Sequence, residues 1–434
     1  MNLDKFMAYY DTTNVFRATA QVNAVQIYHL RDATPNYLTS VCATVRNIVT
    51  EKPKGNILVF NTAAKEIEEI CVTLRDLIPG LRVLPMYSAL PKHLSASNAS
   101  LTIPGIVYVV DTGLQKQAGY NSRVAYDQVC PLSSPPGSHT TELTQVVLRL
   151  KSMGFDNLHD FDWVDPPHME DYLRAIRQLN NMRYIDQGGK ITANGKRAAK
   201  LPVHCVWYNA FFAGFKHNCL DQITTIAALL STQDDILMRP HVVRYAADVK
   251  RSSFGHPASD HIARLNAMAF YVKARLQLGG NLAGWCNKYM INQRVAEQVL
   301  KTQTELLSHV KTNLLDGRDI PTLDDDHEEF DARIRKSLLA GFFFNVGIHH
   351  NKDGYKTVHD NHQVALDPDD CKVSMEWELV IYHRMHYAGI QYPQICTAVE
   401  REWLVDLPYF HDSQLPESRQ AMPYSLTRAE RFSQ

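Results

Sequence analysis

Hydrophobic and polar positions along this chain change period several times, and each change marks a different kind of element. Val22–Leu30 alternates apolar and polar residues, the pattern of a half-buried strand. Asn36–Val49 switches to helical spacing. Ile57–Phe60 is a short apolar run read as a buried strand, and Thr62–Leu77 places Ile67, Ile70, Leu74 and Leu77 near a helical period. Leu81–Tyr87 and Ile106–Val110 read as further strands, the second ending in the turn Asp111-Thr112-Gly113. Strand and helix in alternation predict a parallel sheet with covering helices. Gln115–Val129 reads as a β-hairpin, and Pro131–Ser138, PLSSPPGS, is the strongest linker in the chain.

Beyond the linker the pattern becomes helical. Thr141–Met153 is amphipathic and stops at Gly154, a residue suited to a helix C-terminus. Glu170–Met182 is a second helix, and Tyr184–Thr192 is a short hairpin around Gly188-Gly189. Residues 206–338 are mostly helical, with breaks at Gly255–Pro257 and Leu278–Gly284. After Gly341 the reading returns to strands: Phe342–Ile348, Tyr355–Leu366, Glu376–His386 and Ile395–Val405, the outline of a small OB-like barrel. The tail after Ser413 is polar and reads as flexible.

Composition adds little to this outline. The 434 residues carry 45% hydrophobic and 21% charged positions, as ordinary globular domains do. A net charge of −1 gives no global attraction to nucleic acid, so any such contact rests on local basic strips. The eight cysteines are scattered with no C-x-x-C, which predicts reduced thiols in a nuclear or cytoplasmic protein and no zinc site. The N-terminus lacks a signal-peptide pattern, and no apolar run approaches the ~20 residues of a membrane span. His349-His350 with His359 and His362 lies across a turn without cysteine or fixed carboxylate, so no metal is expected there. Asp324–Asp326 with Glu328-Glu329 reads as a solvated linker before a helix.

NILVFNTAAKEIEE at Asn56–Glu69, LPMYSALP at Leu84–Pro91, FGHPASDH at Phe254–His261 and WELVIY at Trp377–Tyr382 are recognisable segments. Together they resemble the DEAH-box RNA helicases, most closely the spliceosomal and ribosome-biogenesis members that bind G-patch activators. Asn56–Glu69, NILVFNTAAKEIEE, is similar to their motif IV, and LPMYSALP at Leu84–Pro91 to the segment after it. SLTI at Ser100–Ile103 resembles the end of motif V, with Leu101–Asn121 similar to the strand and hairpin that follow. Asp165-Pro166-Pro167 and Leu173–Leu179 resemble the winged-helix signature, and FGHPASDH at Phe254–His261 that of the helical ratchet domain. GFF at Gly341–Phe343, WELVIY at Trp377–Tyr382 and EWL at Glu402–Leu404 resemble the family's OB-fold.

The resemblance implies an α/β, then α, then small all-β chain. A partial RecA-like sheet over 1–132 (a degenerate second helicase domain, the first being absent) precedes a winged-helix domain over 139–205. A helical ratchet over 206–338, an OB-like domain over 339–412 and a flexible tail over 413–434 follow. Departures from the family pattern are equally informative. No G-x-x-x-x-G-K-[ST] or DEAH motif occurs, SSPPGSHT stands where the arginines of motif VI belong, Pro91–Ala99 skips most of motif V, and Ala63 replaces a glycine. Phosphoryl transfer needs a phosphate cradle, a lysine, metal-holding carboxylates and usually an arginine, whose loss alone costs about 10³–10⁵ in rate. The expectation is therefore no catalytic residue and no cofactor, ATP and Mg²⁺ belonging to the intact family. The alternative is a fragment or misassembled gene model of an active ATP-dependent RNA helicase in splicing or ribosome biogenesis. A further alternative is an interaction protein without RNA contact.

RNA contact is the function that survives in the first reading, with a G-patch protein as possible second partner and neither membrane binding nor DNA specificity. By resemblance, Thr102 touches the RNA backbone, and Lys116 and Arg123 lie on a strand-separating hairpin. Arg239, Lys250, Arg251 and His256 are candidates for tracking phosphates in the ratchet. Tyr355, Lys356, Tyr382, His383 and Arg384 would supply stacking and charge in the OB-like groove, whereas Trp377 and Trp403 read as core.

Overall fold

The computed structural model describes residues 3–16, 25–31, 34, 36–61, 64–86, 105–112, 115–121, 126–132, 143–158, 161–164, 166–232, 234–240, 243–278, 282–315, 317–320, 327–350, 354–358, 362–366, 371–387, 391–405 and 407–410. Its N-terminal part holds α1 (Leu3–Tyr9), α2 (Tyr37–Glu51), β1 (Asn56–Phe60), α3 (Ala64–Leu77) and β2 (Ile106–Asp111). The hairpin strands β3 (Gln115–Asn121) and β4 (Tyr126–Leu132) follow. Asn36 caps α2, its side chain accepting the Thr39 N–H at 3.2 Å. β1 and β2 pair in parallel, Phe60 opposite Asp111. Val41, Cys42 and Val45 of α2 pack with Ile70 and Leu74 of α3 and with Val110 of β2. Val107 and Val109, the alternate residues of β2, are 60% and 58% exposed, so one face of the pair is covered and the other open.

Two expected strands are absent here. Residues 25–30 are irregular and exposed, and residues 81–86 form no ladder, although Leu81 and Val83 pack on the small core. Alternation licenses a strand only where a neighbouring strand takes up its N–H and C=O groups. Among the described residues none does so at either place. Residues 22–24 and Tyr87 lie outside the described residues, as do most of the linker and the tail after 410. The hairpin forms as expected, with Lys116 opposite Pro131.

The helical part begins with α4 (Thr144–Ser152), α5 (Met169–Asn181) and α6 (Ala193–Ala199). Between α5 and α6 the expected hairpin shrinks to a single bridge, Ile185 to Ile191, with Gly189 at φ +78°. The buried Lys151 ammonium ties this turn to α4, donating to the carbonyls of Gly189 at 2.7 Å and Asp156 at 2.8 Å. α7 (Trp207–Lys216), α8 (Leu220–Leu230), α9 (Arg244–Arg251), α10 (Asp260–Leu278), α11 (Leu282–Tyr289), α12 (Gln293–Asn313) and α13 (Phe330–Phe342) complete the helices.

The final sheet has β5 (Val346–His349), β6 (Tyr355–Thr357), β7 (Gln363–Val364), β8 (Leu379–Tyr387) and β9 (Gln391–Val399), followed by α14 (Arg401–Val405). Its antiparallel order is β7-β6-β5-β8-β9. The Ala365 N–H donates to the Gln391 carbonyl at 3.1 Å, so the outer strands meet and the sheet curls into a half-barrel. Two expectations change. Phe342 ends a helix instead of opening a strand, and the strand expected over Ile395–Val405 stops at Val399, leaving Trp403 on α14. A short continuous apolar run does not distinguish strand from helix.

One hydrophobic core joins the helices to the sheet, running from Val147 through Phe211, Ile262 and Phe342 to Val399 and Phe410. A seam of polar contacts lies beside it. Ser259 bridges to Thr397, their hydroxyls 2.6 Å apart, and the Ala398 N–H donates to the Ala258 carbonyl at 2.7 Å. Asp260 accepts the backbone N–H of Lys372 and of Cys396, each at 3.0 Å. The segment inside FGHPASDH thus runs along β9 and opens α10 in one stroke.

Candidate nucleic-acid interface

Thr102 and Arg123 lie outside the described residues, and Lys116 stands on β3. Of the basic residues expected to track phosphates in the ratchet, most are engaged inside the protein. Arg239 grips Asp248 with two bonds of 2.7 Å, which holds that carboxyl below its ordinary range. Arg251 is buried, 4.0 Å from the same carboxylate. His256 Nε2 meets Asp331 Oδ2 at 2.7 Å, and this bond pulls the Asp331 carboxyl down as well. Lys250, on the outer side of α9, stays half-exposed.

In the half-barrel, burial and strand alternation separate the residues expected to act together. Tyr355 is fully buried and its hydroxyl donates to the Trp377 carbonyl at 2.7 Å. Burial pushes its phenol far above the ordinary value. Tyr382 is buried in the same cluster with Val364, Val380 and Ala398. Both rings are therefore core, and neither offers a face to a base. Lys356 pairs with Ile348 and projects to the opposite side of the sheet from Tyr355. Arg384 is exposed on β8, its Nε donating to Gln394 Oε1 at 2.9 Å. The structure does not gather Tyr355, Lys356, Tyr382 and Arg384 into one groove.

His383 sits in a cluster with His261, Trp207 and Phe342, its ring centre 5.3 Å from Phe342 and 6.3 Å from His261. Burial first, then neighbouring positive charge, pushes its imidazole down to about 3. It is a neutral packing residue of the seam.

Sequence reading missed two exposed features. Tyr245 is 85% exposed on α9, one turn from the exposed Val249, with Arg244 and Lys250 on the same short helix. Its signal was an aromatic residue on the polar side of a helix whose buried side holds Ala247. The second is a basic strip around α6: Lys196 and Lys200 are exposed and four residues apart, and Lys190 is exposed just before the helix. Positive side chains at such spacing follow a phosphate backbone, and an exposed ring stacks on a base.

Residues 334–408 match the family model described as oligonucleotide/oligosaccharide-binding (OB)-fold. Residues 209–264 match the model described as helicase associated domain (HA2), ratchet-like. These two domains together are characteristic of DEAH/RHA-type helicases, and the chain carries the helicase-associated C-terminal region of that type. The first match takes in the last helix of the helical part with the whole half-barrel. The second runs from α7 through Asp260, so the seam joins the two matched regions. Among the described residues no helix is long and apolar enough to cross a membrane.

Proposed function

We propose that this chain binds single-stranded RNA through a DEAH-type helicase-associated platform and does not itself turn over ATP. The observation that carries this reading is the tandem of ratchet-like and OB-fold matches, joined by one core and one polar seam into a single body. On that body Lys250, Lys356 and Arg384 remain from the expected residues, and Tyr245, Lys190, Lys196 and Lys200 join them. The absence of hydrolysis is supported by SSPPGSHT in the place of motif VI and by the lack of a phosphate-cradle motif in the sequence. The motif sequences favour a role with the spliceosomal or ribosome-biogenesis members, a G-patch protein as partner, and a nuclear or cytoplasmic setting.

The experiment is fluorescence anisotropy of a labelled single-stranded RNA and of the same DNA sequence, with ATP turnover followed in parallel. Saturable RNA binding without RNA-stimulated turnover supports the proposal. RNA-stimulated turnover by this chain would overturn the proposal. The resumption of family sequence after each skipped motif favours the second reading, a fragment or misassembled gene model of an active helicase.

A further inference from the structure

Three chemistry-bearing side chains from separate parts of the chain meet behind the polar seam. Asp260 opens α10, Cys371 lies between β7 and β8, and Cys396 is in β9. One carboxylate oxygen and the two sulfurs all lie within 4.8 Å of one another, and all three residues are buried. Both cysteines carry thiols, not a disulfide. The carboxylate is fixed beside the sulfurs because its oxygens accept the N–H of Lys372, next to one cysteine, and of Cys396 itself, each at 3.0 Å. Each oxygen keeps a second lone pair. At the same place Arg264 Nη1 donates to the Asp260 backbone carbonyl at 3.2 Å, and the Cys396 thiol donates to the Pro393 carbonyl at 3.5 Å.

We propose that Asp260, Cys371 and Cys396 bind a thiophilic divalent cation, zinc by its chemistry, which pins the half-barrel to the helical region. Two thiolates and one carboxylate oxygen are a zinc donor set, with Zn–S of about 2.3 Å and Zn–O of about 2.1 Å. A tetrahedral ion with those bonds holds its sulfurs roughly 3.8 Å apart, inside the 4.8 Å within which the three ligand atoms lie. Thiolate donors select against magnesium and calcium. On binding, the two thiols release two protons to solvent, Zn–S bonds replace the S–H bonds, and water takes the fourth position. Occupancy therefore rises with pH. The cation and its ligands lie in the interior and need no RNA, so this inference stands apart from the RNA-binding proposal.

The test uses the full chain, stripped of metal by chelation and titrated with cadmium and then zinc. Cadmium–thiolate bonds are read by their ultraviolet charge-transfer absorption, and bound metal by mass spectrometry. The expected result is one cadmium per chain with thiolate absorption, displaced by zinc, and zinc raising the melting temperature. Cys371→Ser should weaken binding at least ~100-fold, as losing a ligand exceeds the effect of losing a supporting contact. Cys396→Ala, which removes the sulfur altogether, should do the same, with folding of both variants checked by circular dichroism. Unchanged cadmium binding in either folded variant would overturn the proposal. So would absence of thiolate absorption in the parent chain, or a Cys371–Cys396 disulfide found by peptide mapping.

Discussion

The guanidinium carbon of Arg335 lies 4.9 Å from the ring centre of Trp403. One residue comes from the last helix of the helical part and the other from the short helix after the half-barrel. A second indole, Trp377, lies 5.5 Å from the same carbon, and Nη1 donates to the Ala398 carbonyl of β9 at 3.2 Å. Arg335 therefore bolts helix, sheet edge and two aromatic rings together, with Glu400 3.5 Å from Nη2.

Arg335→Ala removes a charged hydrogen bond worth ~1.5–3 kcal/mol and cation–π contacts of ~0.5–2 kcal/mol. The expected loss is ~2–4 kcal/mol of unfolding free energy in urea. Arg335→Lys should recover under half of it, because an ammonium lacks the planar fork that stacks and bonds at once.

Gly341, at the end of α13, marks a close approach to α7. A Cβ there would sit 2.9 Å from the Ala210 Cβ and 3.1 Å from the Val206 carbonyl oxygen. Gly341→Ala should destabilise by ~1–3 kcal/mol through overpacking, read as a lower midpoint in thermal unfolding.

Asp260 and Cys396 are 136 residues apart and joined by a 3.0 Å bond. Asp260→Asn keeps the shape but puts an NH₂ against one of two backbone donors. The expected cost is ~1–3 kcal/mol for a buried donor left without an acceptor. Hydrogen exchange should speed up at the amides of Lys372 and Cys396 before it does in α5.

This pair also shows why much of the site was illegible in the sequence. The helices over 37–51, 64–77 and 169–181 and the hairpin at 115–132 follow from local period and turn residues, and the strands and helices found there agree with that reading. FGHPASDH was recognisable as a motif, but what it touches on β9 is fixed by long-range folding alone. Local spacing likewise gave no sign that His256 answers Asp331, 75 residues on, or that Tyr355 turns inward while Lys356 turns outward. Phe342 reads as strand because Phe342–Phe344 is a short apolar run, and Trp403 because the turn after Val399 carries no glycine or proline.

Acid should weaken the fold through its buried histidines. His261 is held well below the ordinary imidazole value of 6.5 by burial, and His383 at about 3. Below pH 6.5, and for His383 down to about 3, the unfolded chain therefore binds protons that the folded chain refuses. Stability falls as pH falls through that window, by up to ~1.4 kcal/mol per pH unit for each histidine. Asp248 and Asp331, held low by Arg239 and His256, add to the loss further down. Urea midpoints from pH 7 to 5 check this, and His383→Gln should flatten the slope by one histidine's share.

The most direct test of the RNA-binding platform is the salt dependence of single-stranded RNA affinity for the full chain. Phosphate contacts release counterions, so log K should fall linearly with log salt, with a slope of about −0.7 for each phosphate neutralised. The slope should lessen by roughly one contact in Lys250→Ala and again in Lys196→Ala. Tyr245→Ala should lower affinity by ~1–3 kcal/mol with the slope unchanged. Absence of RNA binding at low salt, or an affinity indifferent to salt and to these lysines, would contradict the account.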